Sequence, residues 1–76
     1  MQILILFWNG KRYTLTFRKS DTVRTIKKKI EEKENIDIRL QRIHYGGKIL
    51  KNYEVIRDCL KDTAVIHCMY HIINDQ

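Results

Sequence analysis

The chain has 76 residues, 43% hydrophobic and 32% charged, with 15 Lys and Arg against 9 Asp and Glu for a formal net charge of +6. That suits one small domain, residues 1–76, and excludes a disordered chain. No apolar run approaches the roughly 20 residues that cross a bilayer. The start, MQILILFWNG, lacks the basic segment and small-residue cleavage site of a secretory leader. Two cysteines, Cys59 and Cys68, have neither CxxC spacing nor the numbers of a disulfide framework, so reduced thiols in a cytoplasmic protein are expected. The positive balance permits acidic partners without selecting one.

Met1–Phe7 alternates, with Met1, Ile3, Ile5 and Phe7 on one face and Gln2, Leu4 and Leu6 on the other, which is strand periodicity. Trp8-Asn9-Gly10-Lys11 follows, and Asn-Gly between two apolar runs predicts a hairpin. The return strand, Arg12–Phe17, turns Tyr13, Leu15 and Phe17 inward. Ser20–Asn35 alone has helical periodicity, since Val23, Ile26 and Ile30 at i, i+3 and i+7 make one apolar stripe. Ser20, Asp21 and Thr22 offer N-cap oxygens, and Asn35 suits a left-handed stop. Arg24 and Lys27–Lys29 crowd the N-terminal half and Glu31, Glu32 and Glu34 the C-terminal end, so the macrodipole is opposed at both. Lys27–Glu31 and Lys28–Glu32 pairs recover only about 0.2–0.5 kcal/mol each. Such a helix depends on packing its narrow stripe against a sheet.

Ile36–Arg39 reads as an irregular link. Leu40–Tyr45 is the next strand, with Gln41, Ile43 and Tyr45 inward and Arg42 and His44 outward. Gly46-Gly47 predicts a tight turn into a very short strand, Lys48–Leu50. Lys51–Lys61 has no clean period and reads as a loop anchored by Ile56 and Leu60. Ala64–Tyr70 alternates again, with Ile66, Cys68 and Tyr70 against Val65, His67 and Met69. The predicted core is Ile3, Ile5, Tyr13, Leu15, Phe17, Val23, Ile26, Ile30, Ile43, Leu50, Ile56, Leu60, Ile66 and Cys68.

This order, and the residues on it, resemble the ubiquitin family. The resemblance is carried by Met1-Gln2-Ile3, Gly10-Lys11, Thr14-Leu15, Ser20-Asp21-Thr22, Lys27, Lys29-Ile30, Lys33-Glu34, Ile36, Gln41-Arg42, Gly47-Lys48, Leu50 and Asp58. It runs nearly the whole chain without a gap until Asp58-Cys59-Leu60-Lys61, one residue shorter than the family's pattern. With that deletion Leu60, Ile66, His67 and Cys68 fall on the family's apolar, apolar, histidine and apolar positions. Without it Lys61 and His67 would be buried, which is costly. The resemblance implies an α+β, β-grasp fold of order ββαββ–loop–β, in which a mixed five-stranded sheet wraps one helix.

Family members are recognised through an apolar patch whose positions match Trp8, His44 and Met69, with His67 and Gly47 beside them. His44 stands where the family has its central aliphatic residue. With Arg42 and Lys48 these are the candidate partner-binding residues. The family is conjugated through a tail ending in two glycines, whereas this sequence runs His71-Ile72-Ile73-Asn74-Asp75-Gln76. Lysines that carry chains in the family match Lys11, Lys27, Lys29, Lys33 and Lys48.

The remaining residues support little chemistry. His44 and His67 on neighbouring strands make a poor metal site without a third ligand, so no metal and no cofactor are expected. Cys59, the histidines and the scattered acids form no set of nucleophile, base and orienting group. Arg18, Lys19, Arg24 and Lys27–Lys29 make a basic face that reads as solvated helix surface, with no aromatic interleaving and no RNA-binding motif. Trp8, Leu4 and Leu6 are better candidates for a contact surface. Two function classes follow. One is a monomeric, non-conjugable protein-interaction module, and the other is a sequence designed or selected only to hold the fold, with no biological role.

Overall fold

The computed structural model describes residues 1–70. Its elements are β1 (Gln2–Phe7), β2 (Arg12–Thr16), α1 (Val23–Glu34), a 3-10 turn (Ile38–Leu40), β3 (Gln41–Tyr45), β4 (Lys48–Ile49), α2 (Ile56–Cys59) and β5 (Val65–Tyr70). The strands form one mixed sheet in the order β2-β1-β5-β3-β4, with β1 and β5 parallel and the other pairs antiparallel. This is the β-grasp arrangement.

Both hairpins are closed by glycine chemistry. Phe7 N–H donates to the Lys11 carbonyl at 2.9 Å and Gly10 N–H to the Phe7 carbonyl at 3.0 Å, leaving the loop Trp8-Asn9-Gly10. Gly10 sits at φ +88°, the left-handed bulge position that side chains resist. Gly46 and Gly47, at φ +58° and +81°, make the two-residue turn of the second hairpin, whose doubly positive φ matches the twist of the strands.

The helix follows its stripe. Val23, Ile26 and Ile30 are buried against Ile3, Ile5, Ile43, Ile56, Ile66 and Cys68. Asn35 ends α1 in the left-handed conformation at φ 55°, its N–H reaching the Glu31 carbonyl at 2.8 Å. The N-terminus differs from expectation. Thr22 occupies the N-cap position but its side chain makes no capping bond, and Asp21 Oδ2 accepts from Arg18 N–H instead. Backbone carbonyls do the capping. Val23 N–H donates to Glu54 at 2.9 Å and Arg24 N–H to Asn52 at 3.1 Å, while Ile56 N–H returns to the Asp21 carbonyl at 2.8 Å. The 52–57 segment is thereby laced to the helix start.

Further corrections concern the connections and the core margin. Ile36–Arg39 is not wholly irregular, since Ile38–Leu40 forms a 3-10 turn capped by Asp37, whose Oδ1 accepts from Arg39 N–H. Leu40 belongs to that turn rather than to β3. The 51–61 loop contains α2, a single helical turn burying Ile56. Tyr13 and Leu15 are half-buried because β2 is an edge strand, whereas Phe7 and Ala64 join the core. Tyr70 shares the inward register but is exposed at the end of β5. The burial of Leu60, Ile66 and Cys68 and the exposure of Lys61 and His67 agree with the one-residue deletion.

Lys27 is the main reversal. It is buried rather than part of a basic face, and its Nζ donates to Asn52 Oδ1 at 2.6 Å. Burial, and then the charge of Arg42, hold its pKa below the usual lysine value. Gln41, also buried, donates to the Lys27 and Ile36 carbonyls at 3.0 Å each. Asn52→Ala leaves the ammonium without this acceptor, and should cost about 1.5–3 kcal/mol, as for hydrogen bonds to charged groups. Urea unfolding reads this as a lower midpoint at unchanged slope. A loss under about 0.5 kcal/mol would show the bond to be dispensable.

A second polar contact ties α1 to β2. Tyr13 Oη donates to Glu34 Oε2 at 2.5 Å, and Lys11 Nζ reaches Glu34 Oε1 at 3.4 Å. The Tyr13 hydroxyl chiefly, then Lys11, hold the Glu34 carboxyl below its ordinary pKa of 4.5. A depressed acid stabilises the fold above that ordinary value, and the contribution disappears as pH falls through the lower folded-state pKa. Tyr13→Phe should therefore flatten the acid-side fall of the melting temperature below pH 4.5. An unchanged acid limb would assign that fall to other groups.

Candidate functional site

The candidate residues are placed by strand register. Leu6 lies opposite Arg12 in β2 and His67 in β5, His67 opposite His44 in β3, and His44 opposite Ile49 in β4. Residues directly opposite share a face, so Arg12, Leu6, His67, His44 and Ile49 form one row across all five strands. At the usual strand spacing the row is roughly 19 Å wide. Arg42 opposite Met69 and Leu4 opposite Val65 lie beside it on the same outer face, away from α1.

Four of the seven candidates, Arg42, His44, His67 and Met69, are thus brought together. The other three lie outside that group. Trp8 lies beyond the end of β1, its ring 5.7 Å from that of Tyr70 and 6.0 Å from that of Phe7. Gly47 lies in the turn onto edge strand β4, and Lys48, the first residue of β4, stands opposite Tyr45 in the inward register rather than on the outer face. Arg42 is fixed by its own strand start, Nη1 donating to the Arg39 and Gln41 carbonyls at 3.0 Å.

Exposure separates contact surface from partial burial. Trp8 is 46% exposed, Met69 44%, Val65 44%, Ile49 56% and Tyr70 42%, so the face and its end present several apolar side chains together. Leu4 and Leu6 are half-buried within it. Ile49, Val65 and Tyr70 were not among the candidates. Ile49 follows from the two-residue Gly-Gly turn, which sets it opposite His44, and Val65 from the alternation of β5. Tyr70 had no such signal, because its parity points inward.

Elsewhere the chemistry is sparse. Cys59 borders a cleft of about 320 Å³ lined also by Tyr45, Leu50, Glu54 and Asp58. Burial, with Glu54 and Asp58 nearby, raises its pKa, and burial pushes Cys68 up to about 11. Neither is a thiolate nucleophile at neutral pH. Among the described residues no three His, Cys, Asp or Glu side chains converge as a metal site would need, and no helix is long and apolar enough to cross a membrane.

Comparison with known proteins agrees with the fold. The family model described as "Ubiquitin family" matches residues 3–72. "Ubiquitin-like protein NEDD8-like protein 2" of Dictyostelium discoideum is 32% identical over 62 residues, covering 80% of this chain and 78% of that protein. With the β-grasp sheet, the buried Ile30 stripe and this match over most of its length, the chain belongs to the ubiquitin family.

Proposed function

We propose that this chain is a non-catalytic ubiquitin-like interaction domain, which docks proteins on the outer face of its sheet. The observation that carries the reading is the row Arg12–Leu6–His67–His44–Ile49, flanked by exposed Met69 and Val65. Apolar side chains, Met and Arg on one open surface are the composition of a protein interface. The absence of a thiolate nucleophile among Cys59 and Cys68 supports a binding role over catalysis. Two free thiols suit a reducing compartment, and the proposal places a monomer in the cytoplasm.

His44 sets this face apart from its family. It puts a polar ring at the centre of a contact that receptors of the family's apolar patch bury, and an unpartnered buried ring costs about 1–3 kcal/mol. Affinity for such receptors should be at least about tenfold weaker than the family's, which corresponds to roughly 1.4 kcal/mol. Titration of a ubiquitin-binding domain into the labelled chain, followed by NMR, tests this. His44→Ile should strengthen binding, with shifts at His67, Ile49 and Met69. Family-level affinity without that substitution, or shifts confined to α1, would overturn the reading.

A further inference from the structure

We propose that His44, His67 and Met69 together hold a copper(I) ion on the outer face of the sheet. The site stands on strand register alone and does not depend on the docking reading. Two histidines by themselves hold a metal poorly, and the fold supplies a third ligand. His44 and His67 are direct antiparallel partners on β3 and β5. Side chains so placed share a face with Cβ atoms about 4.5–5.5 Å apart, close enough for two imidazoles to converge on one ion.

Met69 lies two positions beyond His67 on β5, on the same face. It stands diagonal to His44, roughly 7–8 Å away, a separation that long side chains still span. Met69 is 44% exposed and His67 is exposed as well. Methionine turns about three side-chain bonds, so the thioether can swing onto the imidazole pair without disturbing the core.

The neighbours leave these groups free. Arg42 is the cross-strand partner of Met69, but its Nη1 is turned back to the Arg39 and Gln41 carbonyls at 3.0 Å. Among the described residues neither imidazole is paired with a carboxylate. The two thiols lie elsewhere. Cys68 is buried in the core with its pKa pushed up to about 11, and Cys59 borders the cleft beside Glu54 and Asp58.

The donor set selects the ion. Imidazole suits zinc and copper alike, whereas a thioether is a soft ligand that favours copper(I). No outward position of the five strands is a carboxylate, so calcium and magnesium lack the oxygen ligands they need. Charge points the same way. Leu6 lies beside His67 and Ile49 beside His44, with Arg12 and Arg42 on the same face. Seating a doubly charged ion among aliphatic side chains and two guanidinium groups costs more than seating a singly charged one.

The test is an anaerobic titration of the full chain, labelled with ¹⁵N and with ¹³C at the methionine methyls. Copper(I) is supplied as its acetonitrile complex, and affinity is read by competition with a chelator. Stoichiometric copper(I) should shift the rings of His44 and His67 and the methyl of Met69 together, leaving the Met1 methyl in place. His67→Ala, at an exposed position, should weaken binding at least about tenfold, since even outer partners of metal ligands carry that much. Met69→Leu keeps the apolar bulk. It should weaken copper(I) to a similar degree yet leave zinc(II), the weaker ion from the start, unchanged. Cys59→Ser and His71→Ala should leave both ions unchanged.

Copper(I) shifts centred on Cys59, His71 or Met1 would overturn the assignment. So would a Met69→Leu chain that binds copper(I) as tightly as the parent. Zinc(II) bound more tightly than copper(I) would reduce the site to two imidazoles and overturn the choice of ion.

Discussion

Replacing Ile30 by Ala should remove about 2–5 kcal/mol of folding stability, the cost of deleting a large buried aliphatic side chain. Ile30 is 1% exposed at the middle of α1, in a core cluster with Ile3, Ile5, Ile43 and Ile66 from the sheet. Those neighbours sit on strands fixed by their ladders, so collapse into the vacated space is limited. Charges along α1 oppose its macrodipole. No acid occupies the first turn of α1, and neither the Lys27–Glu31 nor the Lys28–Glu32 ion pair forms. The helix has little stability of its own to fall back on. Against a small domain's usual 5–15 kcal/mol, roughly, the loss is a large fraction. Chemical denaturation measures it, with Ile30→Val as the graded control at about 0.5–1.5 kcal/mol. A loss below about 0.5 kcal/mol for Ile30→Ala would remove the packing of this helix on the sheet as the basis of the fold.

What the sequence discloses here is what is local. The alternation of Met1–Phe7, the Asn-Gly and Gly-Gly turns and the i, i+3, i+7 stripe each need a short window, and each element forms where its pattern stands. Lys27 carries no such signal. A lysine beside two others reads as surface, and its burial depends on Asn52, a residue 25 positions away. The helix start fails for the same reason, because its caps are the carbonyls of Asn52 and Glu54 rather than the nearby hydroxyls. A four-residue helix such as α2 is too short to show a period. The outer face divides likewise. Alternation places Leu6, Arg42 and His44 outward, but only the parallel pairing of β1 with β5 sets Leu6 beside His67 and completes the row.

The conjugation chemistry of the family activates a terminal glycine carboxylate, drawn extended through a narrow channel, and this 76-residue chain should form no thioester with an activating enzyme. Glycine suits that channel because it lacks a side chain and takes backbone conformations other residues avoid. Asp75 and Gln76 bring two side chains there, and Asp75 a charge where the family has none. The expected packing of Ile72 and Ile73 onto the sheet lies outside the described residues. Trimming within the sequence does not help. Its three glycines are Gly10, Gly46 and Gly47, and the Gly46-Gly47 pair is locked at positive φ between β3 and β4. Cleavage after Gly47 would detach β4, α2 and β5, and with them Ile56, Leu60, Ile66 and Cys68 of the core. Incubation with an activating enzyme and ATP, read on a non-reducing gel, should show no adduct. Replacing Asp75 and Gln76 by glycine separates tail chemistry from recognition, because an adduct gained by that variant alone assigns the block to those two side chains. A thioester formed by the unaltered 76-residue chain would overturn this expectation and leave the docking face unaffected.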